Sequence, residues 1–258
     1  MKDVKERVAA GALLESAGVP RDGVLFVHAS FRGLAGVGYR AEAFIEGLIE
    51  YMRPGTLAMP AMSWRIVTPA NPEFDELTTP SHVGVLAEIF RRCYAAGRSL
   101  HPTHSVAAIG RHLPDLIAGH HLDDTPCSIN SPYGRAISED AHVLMLGIGF
   151  ERVTAIHHAE ETIAIDTYLQ PAEAAQVYRC HDRAGRVHTV RLRRHLPLNR
   201  DFPQFAAPLA SSGKLHQGMI EGTRWMTVAQ RDLLAVVSDA LRRDPRAIIA
   251  PAGAPVIP

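Results

Sequence analysis

The chain has 258 residues, 47% of them hydrophobic and 21% charged, proportions that exclude disorder along most of its length. Its 27 lysines and arginines balance 27 aspartates and glutamates, which points neither to nucleic acid nor to an anionic membrane surface as a partner. No run of about 18 apolar residues is present to cross a bilayer, so membrane insertion through helices is excluded as well.

The predicted elements form one domain over residues 1–258. Residues 3–17 read as an amphipathic helix with charges at both ends, unlike an export signal, and imply a cytoplasmic protein. A turn at Pro20–Gly23 leads into a buried strand over 24–28, followed by a loop from Ala29 to Gly38 rich in glycine and small residues. That composition lets backbone amides approach a phosphate. A helix over 41–52 and a strand over 56–60 complete a parallel crossover unit. The segment 65–80 carries Pro69, Pro72 and Pro80 with Glu73, Asp75 and Glu76, and reads as a substrate lid.

A helix over 82–94, a strand over 105–109 and an apolar strand over 142–148 follow. Residues 174–194 alternate polar and apolar positions around Asp182-Arg183-Ala184-Gly185, the pattern of an antiparallel hairpin. Seven arginines fall between Arg179 and Arg200 against the single acid Asp182, either as a solvated face or as a contact for phosphates or acidic partners. The last helix is expected over 227–243, before Asp244-Pro245. The fold class is therefore α/β: a mixed, mostly parallel sheet flanked by helices, with an antiparallel hairpin in the C-terminal third.

Three widely spaced cysteines, Cys93, Cys127 and Cys180, encode neither a disulfide framework nor a paired-cysteine zinc site and fit a reducing compartment. Fourteen histidines call for a chemical explanation. After the strand over 142–148, Thr154 is placed to cap a helix, which puts His157 in its first turn. There the dipole disfavours an imidazolium, so the ring stays able to accept a proton, as a general base must. Glu160 follows three residues on, placed to orient that ring or to bind a cationic substrate. The alternative is a helix-start histidine satisfied by local hydrogen bonds.

The turn Arg98-Ser99-Leu100-His101-Pro102-Thr103-His104 gathers cationic, hydroxyl and imidazole groups before a strand, suited to a phosphorylated or thioester ligand, or simply held by its own backbone bonds. A zinc-dependent hydrolase built from His101, His104, His157, His158 and Glu160 is the metal alternative, but no His-Glu-x-x-His motif or cysteine pair supports it, and no metal is expected. A serine-hydrolase elbow, a Walker loop and a dinucleotide fingerprint are all missing from the sequence.

In series, these segments resemble the aminoglycoside 3-N-acetyltransferase family. They are Val27-His28-Ala29-Ser30-Phe31-Arg32, Gly55 to Pro60, Gly84 to Arg91, Arg98 to Pro102, Ser131-Pro132, the strand ending Leu146-Gly147-Ile148-Gly149, and Thr154 to Glu160. The resemblance implies an acetyl-CoA-dependent transferase that acetylates a small-molecule primary amine, above all the 3-amino group of an aminoglycoside, as a monomer or homodimer. It assigns the base to His157, with Thr154 and Glu160 beside it. It also assigns the coenzyme site to Ser30, Phe31, Arg32, Arg98, Ser99 and Thr154.

Acids that would receive a polycationic acceptor are Asp75 in the lid region with Glu160 and Glu161 on the helix. The sequence departs from the family pattern at Ala29, in place of a usual serine, and at Val153, in place of a frequent asparagine. Family members can also orient the histidine through a carboxylate from the C-terminal third, for which Asp201 and Glu221 are the candidates. An acyltransferase for a biosynthetic amine and a catalytically silent binding protein are the other readings.

Overall fold

The computed structural model describes residues 4–254. Helix α1 (Val4–Ser16) leads through Gly18 into β1 (Val24–Ala29), a short α2 (Arg32–Gly36), α3 (Ala41–Tyr51) and β2 (Thr56–Pro60). There follow β3 (Glu73–Asp75), α4 (Val85–Cys93), β4 (Gly97–Arg98), β5 (Val106–Gly110), α5 (Leu113–Ile117), α6 (Pro132–Arg135) and β6 (His142–Leu146). The last part holds α7 (Ala155–Ile163), α8 (Ile165–Tyr168), β7 (Gln176–His181), β8 (Val187–Leu192), α9 (Ala206–Ser211), β9 (Leu215–Ile220), β10 (Thr223–Ala229) and α10 (Gln230–Arg243).

Seven strands form the main sheet in the order β4-β5-β2-β1-β6-β10-β9. The expected mixed sheet between helices is present, but parallel pairing is confined to its centre, where β1 joins β2 and β6. The pairings on either side are all antiparallel. The central strands explain their own apolar runs, because alternate residues serve opposite cores. Val24 and Phe26 of β1 and Val143 and Met145 of β6 pack with α7 and α10 on one face. Leu25, Val27, Leu144 and Leu146 pack with α1, α3 and α4 on the other.

The hairpin over 174–194 forms as β7 and β8 but stands in a second, three-stranded sheet. Its third member is β3, which pairs in parallel with β7 through Glu73, Phe74 and Asp75. The segment read as a lid is thus partly a strand, with Val67 and Phe74 buried in a small core shared with Tyr178, Cys180, Val190 and Leu192. Side chains anchor it further: Glu76 accepts from Arg183 Nε at 2.7 Å, and Glu73 accepts from His181 at 2.7 Å. Likewise, the loop from Ala29 to Gly38 is not an open cradle: it contains α2, and Phe31 packs on Phe44 in the core.

Residues 227–229, expected at the start of the last helix, belong to β10, and the helix begins at Gln230. Burial on both faces makes them strand: Thr227, Val228 and Ala229 pair with β6.

Candidate active site

Strand β6 ends at Leu146, and Gly147 turns the chain with a φ of 66° and a carbonyl of Ser30 packed against its Cα, where a side chain would have no room. The chain then enters α7, with Thr154 at its cap position but making no side-chain cap bond. Thr154 is buried, its hydroxyl beside the Tyr133 phenol. Ile156 and Ala159 bury the inner face of α7, and His157 and Glu160 lie one turn apart on another face.

His157 Nδ1 lies 2.8 Å from Glu160 Oε2. Glu160 is fully buried, and its other oxygen accepts from Arg200 Nε at 2.8 Å. Burial works against the charged carboxylate, but the His157 and Arg200 contacts outweigh it and hold the group below its usual range. An ionised carboxylate only accepts, so His157 carries a proton on Nδ1, which makes Nε2 the nitrogen that can present a lone pair. Arg200 in turn donates Nη1 to the Leu196 and Leu198 carbonyls and lies over the Tyr168 ring. The carboxylate in contact with His157 is therefore Glu160. Glu221, proposed for that role from sequence, instead pairs with Lys5 and Tyr39, and Asp201 has its backbone amide on Ile248.

Other imidazoles surround His157. His195 stacks on His157 with centroids 4.2 Å apart and planes at 26°, and Phe202 and His104 meet its ring edge-on. His101 stacks on His120 at 4.3 Å. Withdrawal from water and neighbouring histidines hold His101, His104 and His195 well below the ordinary imidazole range, so this wall of rings is uncharged at neutral pH. Sequence reasoning missed His195 and Arg200, which follow the arginine-rich hairpin and carry no local spacing signal.

Glu161 points away from Glu160. Both its oxygens lie 2.8 Å from the Cys127 amide, and Oε1 is 2.9 Å from His195 Nε2, close but not aligned as a hydrogen bond. Burial pushes its carboxyl up to about 8, against the Thr125 hydroxyl and the Cys127 amide, so it is mostly protonated at pH 7.

Arg98 and Ser99, expected at a phosphate, face inward. The Arg98 guanidinium donates to the Thr79 and Ala61 carbonyls at 2.6 Å each and to Ser105 Oγ at 2.8 Å, while lying over Phe74. Ser99 is fully buried, and its hydroxyl meets His120 Nδ1 at 2.9 Å while accepting from the Val106 amide. Because His120 Nε2 donates to the Pro126 carbonyl, Nδ1 is the acceptor and the Ser99 hydroxyl the donor. These polar groups are taken up by other groups of the protein. Of the Ala29–Gly38 loop, Phe31 is core, Ser30 is half-buried and Arg32 is exposed. Asp75 caps the amides of Leu77 and Thr78.

Among the described residues, His157, Glu160 and His195 have donor atoms within 4.8 Å of one another, a set of the type that binds zinc. A cation there would lie beside the Arg200 guanidinium and would have to break the His157–Glu160 bond, which disfavours it. Clefts lined by Glu76, Arg98 and Arg183, and by His112, Arg135 and His158, do not include His157. No helix among the described residues is long and apolar enough to cross a membrane.

A family model described as aminoglycoside 3-N-acetyltransferase matches residues 26–242. A prophage-derived aminoglycoside N(3')-acetyltransferase-like protein, YokD of Bacillus subtilis, is 28% identical over 171 residues, covering 58% of this chain and 62% of that protein. Aminoglycoside N(3)-acetyltransferase IV of Salmonella sp is 37% identical over 153 residues, covering 58% of this chain and 56% of its own length. The chain thus spans about three fifths of the length of the curated relatives it matches. The apoenzyme crystal structure of aminoglycoside acetyltransferase AAC(3)-IVa has a TM-score of 0.77 at 26% identity, covering 97% of this chain and 93% of that one. A histidine-to-alanine mutant of that enzyme in complex with a gentamicin has a TM-score of 0.78 at 27% identity, covering 95% of this chain and 90% of that one.

Proposed function

Because this chain belongs to the aminoglycoside 3-N-acetyltransferase family, we propose that it transfers an acetyl group from acetyl-CoA to a primary amine, with His157 as general base. The observation that carries this reading is the His157–Glu160 contact of 2.8 Å, which leaves the Nε2 lone pair free to take a proton. In the proposed reaction the acceptor enters as its free amine. His157 Nε2 removes a proton from the nitrogen as it attacks the thioester carbonyl, so that a C–N bond forms. The C–S bond then breaks, and the departing thiolate takes the proton from the imidazolium, releasing coenzyme A as the thiol. Glu160 holds the ring and stabilises its charged form, and Arg200 keeps Glu160 ionised. Ser30 and Arg32 remain the candidates for contact with the coenzyme, and the Thr154 hydroxyl or nearby amides for the oxyanion.

An aminoglycoside acceptor is supported by the relatives, since AAC(3)-IVa is a structural neighbour solved with a gentamicin and with apramycin. A second reading, an acyltransferase for an amine carrying less positive charge, has an observation in its favour. Asp75, Glu160 and Glu161, the acids expected to receive a polycation, are each engaged by protein groups. Thiol release from acetyl-CoA, measured for wild type and His157→Ala against aminoglycosides and simple primary amines, tests both. Turnover should fall on the order of a hundredfold or more in the variant, with coenzyme binding retained. Wild-type turnover in His157→Ala would remove the base assignment, and release with simple amines alone would favour the second acceptor class.

A further inference from the structure

We propose that His195 is a positioning residue for His157: its ring lies flat against one face of the base and fixes the plane in which the Nε2 lone pair is presented. The inference rests on the proposed function for its catalytic consequence but on geometry alone for the contact. The two rings stack at 4.2 Å and 26°, a separation and tilt at which one ring limits rotation of the other. Phe202 and His104 close on the edges of His157, at centroid distances of 5.2 Å and 6.4 Å. His104 also meets His195 at 5.4 Å, so the same ring supports both members of the stack.

The platform is itself held. The backbone of His195 bridges Leu169, the Leu196 amide donates to the Tyr168 carbonyl at 2.8 Å, and the Gln170 amide donates to the Arg194 carbonyl at 2.9 Å. Beside its ring stands Glu161, the residue after Glu160 on α7, whose Oε1 is 2.9 Å from Nε2 without making a hydrogen bond. Successive positions of one helix therefore lie beside the two rings: Glu160 meets His157 at its Nδ1, and Glu161 flanks the ring stacked on it. Both rings can stack closely because His195 is uncharged; two imidazolium ions at this distance would repel. No contact between ring nitrogens of His157 and His195 is needed, and a phenyl ring would serve as well as an imidazole.

The test compares His195→Ala with His195→Phe. Loss of the platform in His195→Ala should lower kcat about ten- to a hundredfold through misplacement of the base, with KM for either substrate changed less than about twofold. His195→Phe should recover most of that loss. In parallel, the hydrogen-bonded Nδ1 proton of His157, assigned by NMR of ring-labelled protein, should persist in wild type and His195→Phe and be lost to exchange in His195→Ala. Wild-type kcat and an intact resonance in His195→Ala would overturn the proposal. So would a His195→Phe enzyme as impaired as His195→Ala, since a ring nitrogen would then be the working part. If the wild type releases no thiol with any acceptor, the functional reading fails, and the resonance still decides whether His195 positions His157.

Discussion

Replacing Glu160 by glutamine keeps the volume of the side chain and removes its charge, which makes it the sharpest probe of the site. Two donors, His157 Nδ1–H and Arg200 Nε–H, face the two carboxylate oxygens at 2.8 Å each. An amide offers one acceptor and one donor, and the guanidinium cannot give up its proton, so the carbonyl must face Arg200 and the NH2 group His157. The imidazole then has to accept at Nδ1 and carry its proton on Nε2, the tautomer with no lone pair for the acceptor amine. By analogy with other carboxylate-to-amide changes behind a catalytic histidine, turnover should fall by about 10³–10⁴, roughly 4–5.5 kcal/mol of transition-state stabilisation. Stability should fall by about 1.5–3 kcal/mol, as a bond from buried Arg200 to a charged acceptor becomes one to a neutral acceptor. Steady-state thiol release and urea unfolding measure the two effects separately. A Glu160→Gln enzyme within tenfold of wild-type turnover would refute the tautomer argument and leave Glu160 as a structural partner of Arg200.

Acid should destabilise the fold before most carboxylates titrate. Burial pushes His28 and His120 down to about 4, so between the unfolded value of 6.5 and 4 the unfolded chain binds more protons and stability falls as pH falls. The loss is about 2 kcal/mol for each ring by pH 5. Glu161 has the opposite sign: with its folded value raised to about 8, its contribution is full below 4.5 and is lost as pH rises toward 8, offsetting one histidine. The urea midpoint should therefore drop from pH 7 to pH 5, and a midpoint that rises would contradict the neutral histidine wall. Arg98→Met should cost about 3–5 kcal/mol by leaving the Thr79 carbonyl without its buried donor and the Ala61 carbonyl with Ser105 Oγ in place of two donors. A thermal-unfolding midpoint unchanged in that variant would place the guanidinium outside the framework of the 76–79 segment.

Features that depend on neighbours along the chain were legible from residue order alone. The apolar runs at 24–28, 56–60 and 142–148 could only be strands covered on both faces, and they became the parallel centre of the main sheet. The three-residue spacing of His157 and Glu160 on a helix places imidazole and carboxylate on one side whatever the packing around them, and the 2.8 Å contact follows from it. Only the tertiary structure decided which groups face each other across the sequence. Arg200 reaches Glu160 from 40 residues away, and His195 stacks on His157 from the segment beyond the hairpin. Arg98 and Ser99 carried the residue types of a phosphate turn, yet burial turned them toward carbonyls and an imidazole of their own protein. Residue type states what a side chain can donate or accept, whereas burial and long-range chain closure decide which partner takes it up. For Arg98 and Ser99, pairing with protein groups avoids the cost of a buried polar atom left without a partner.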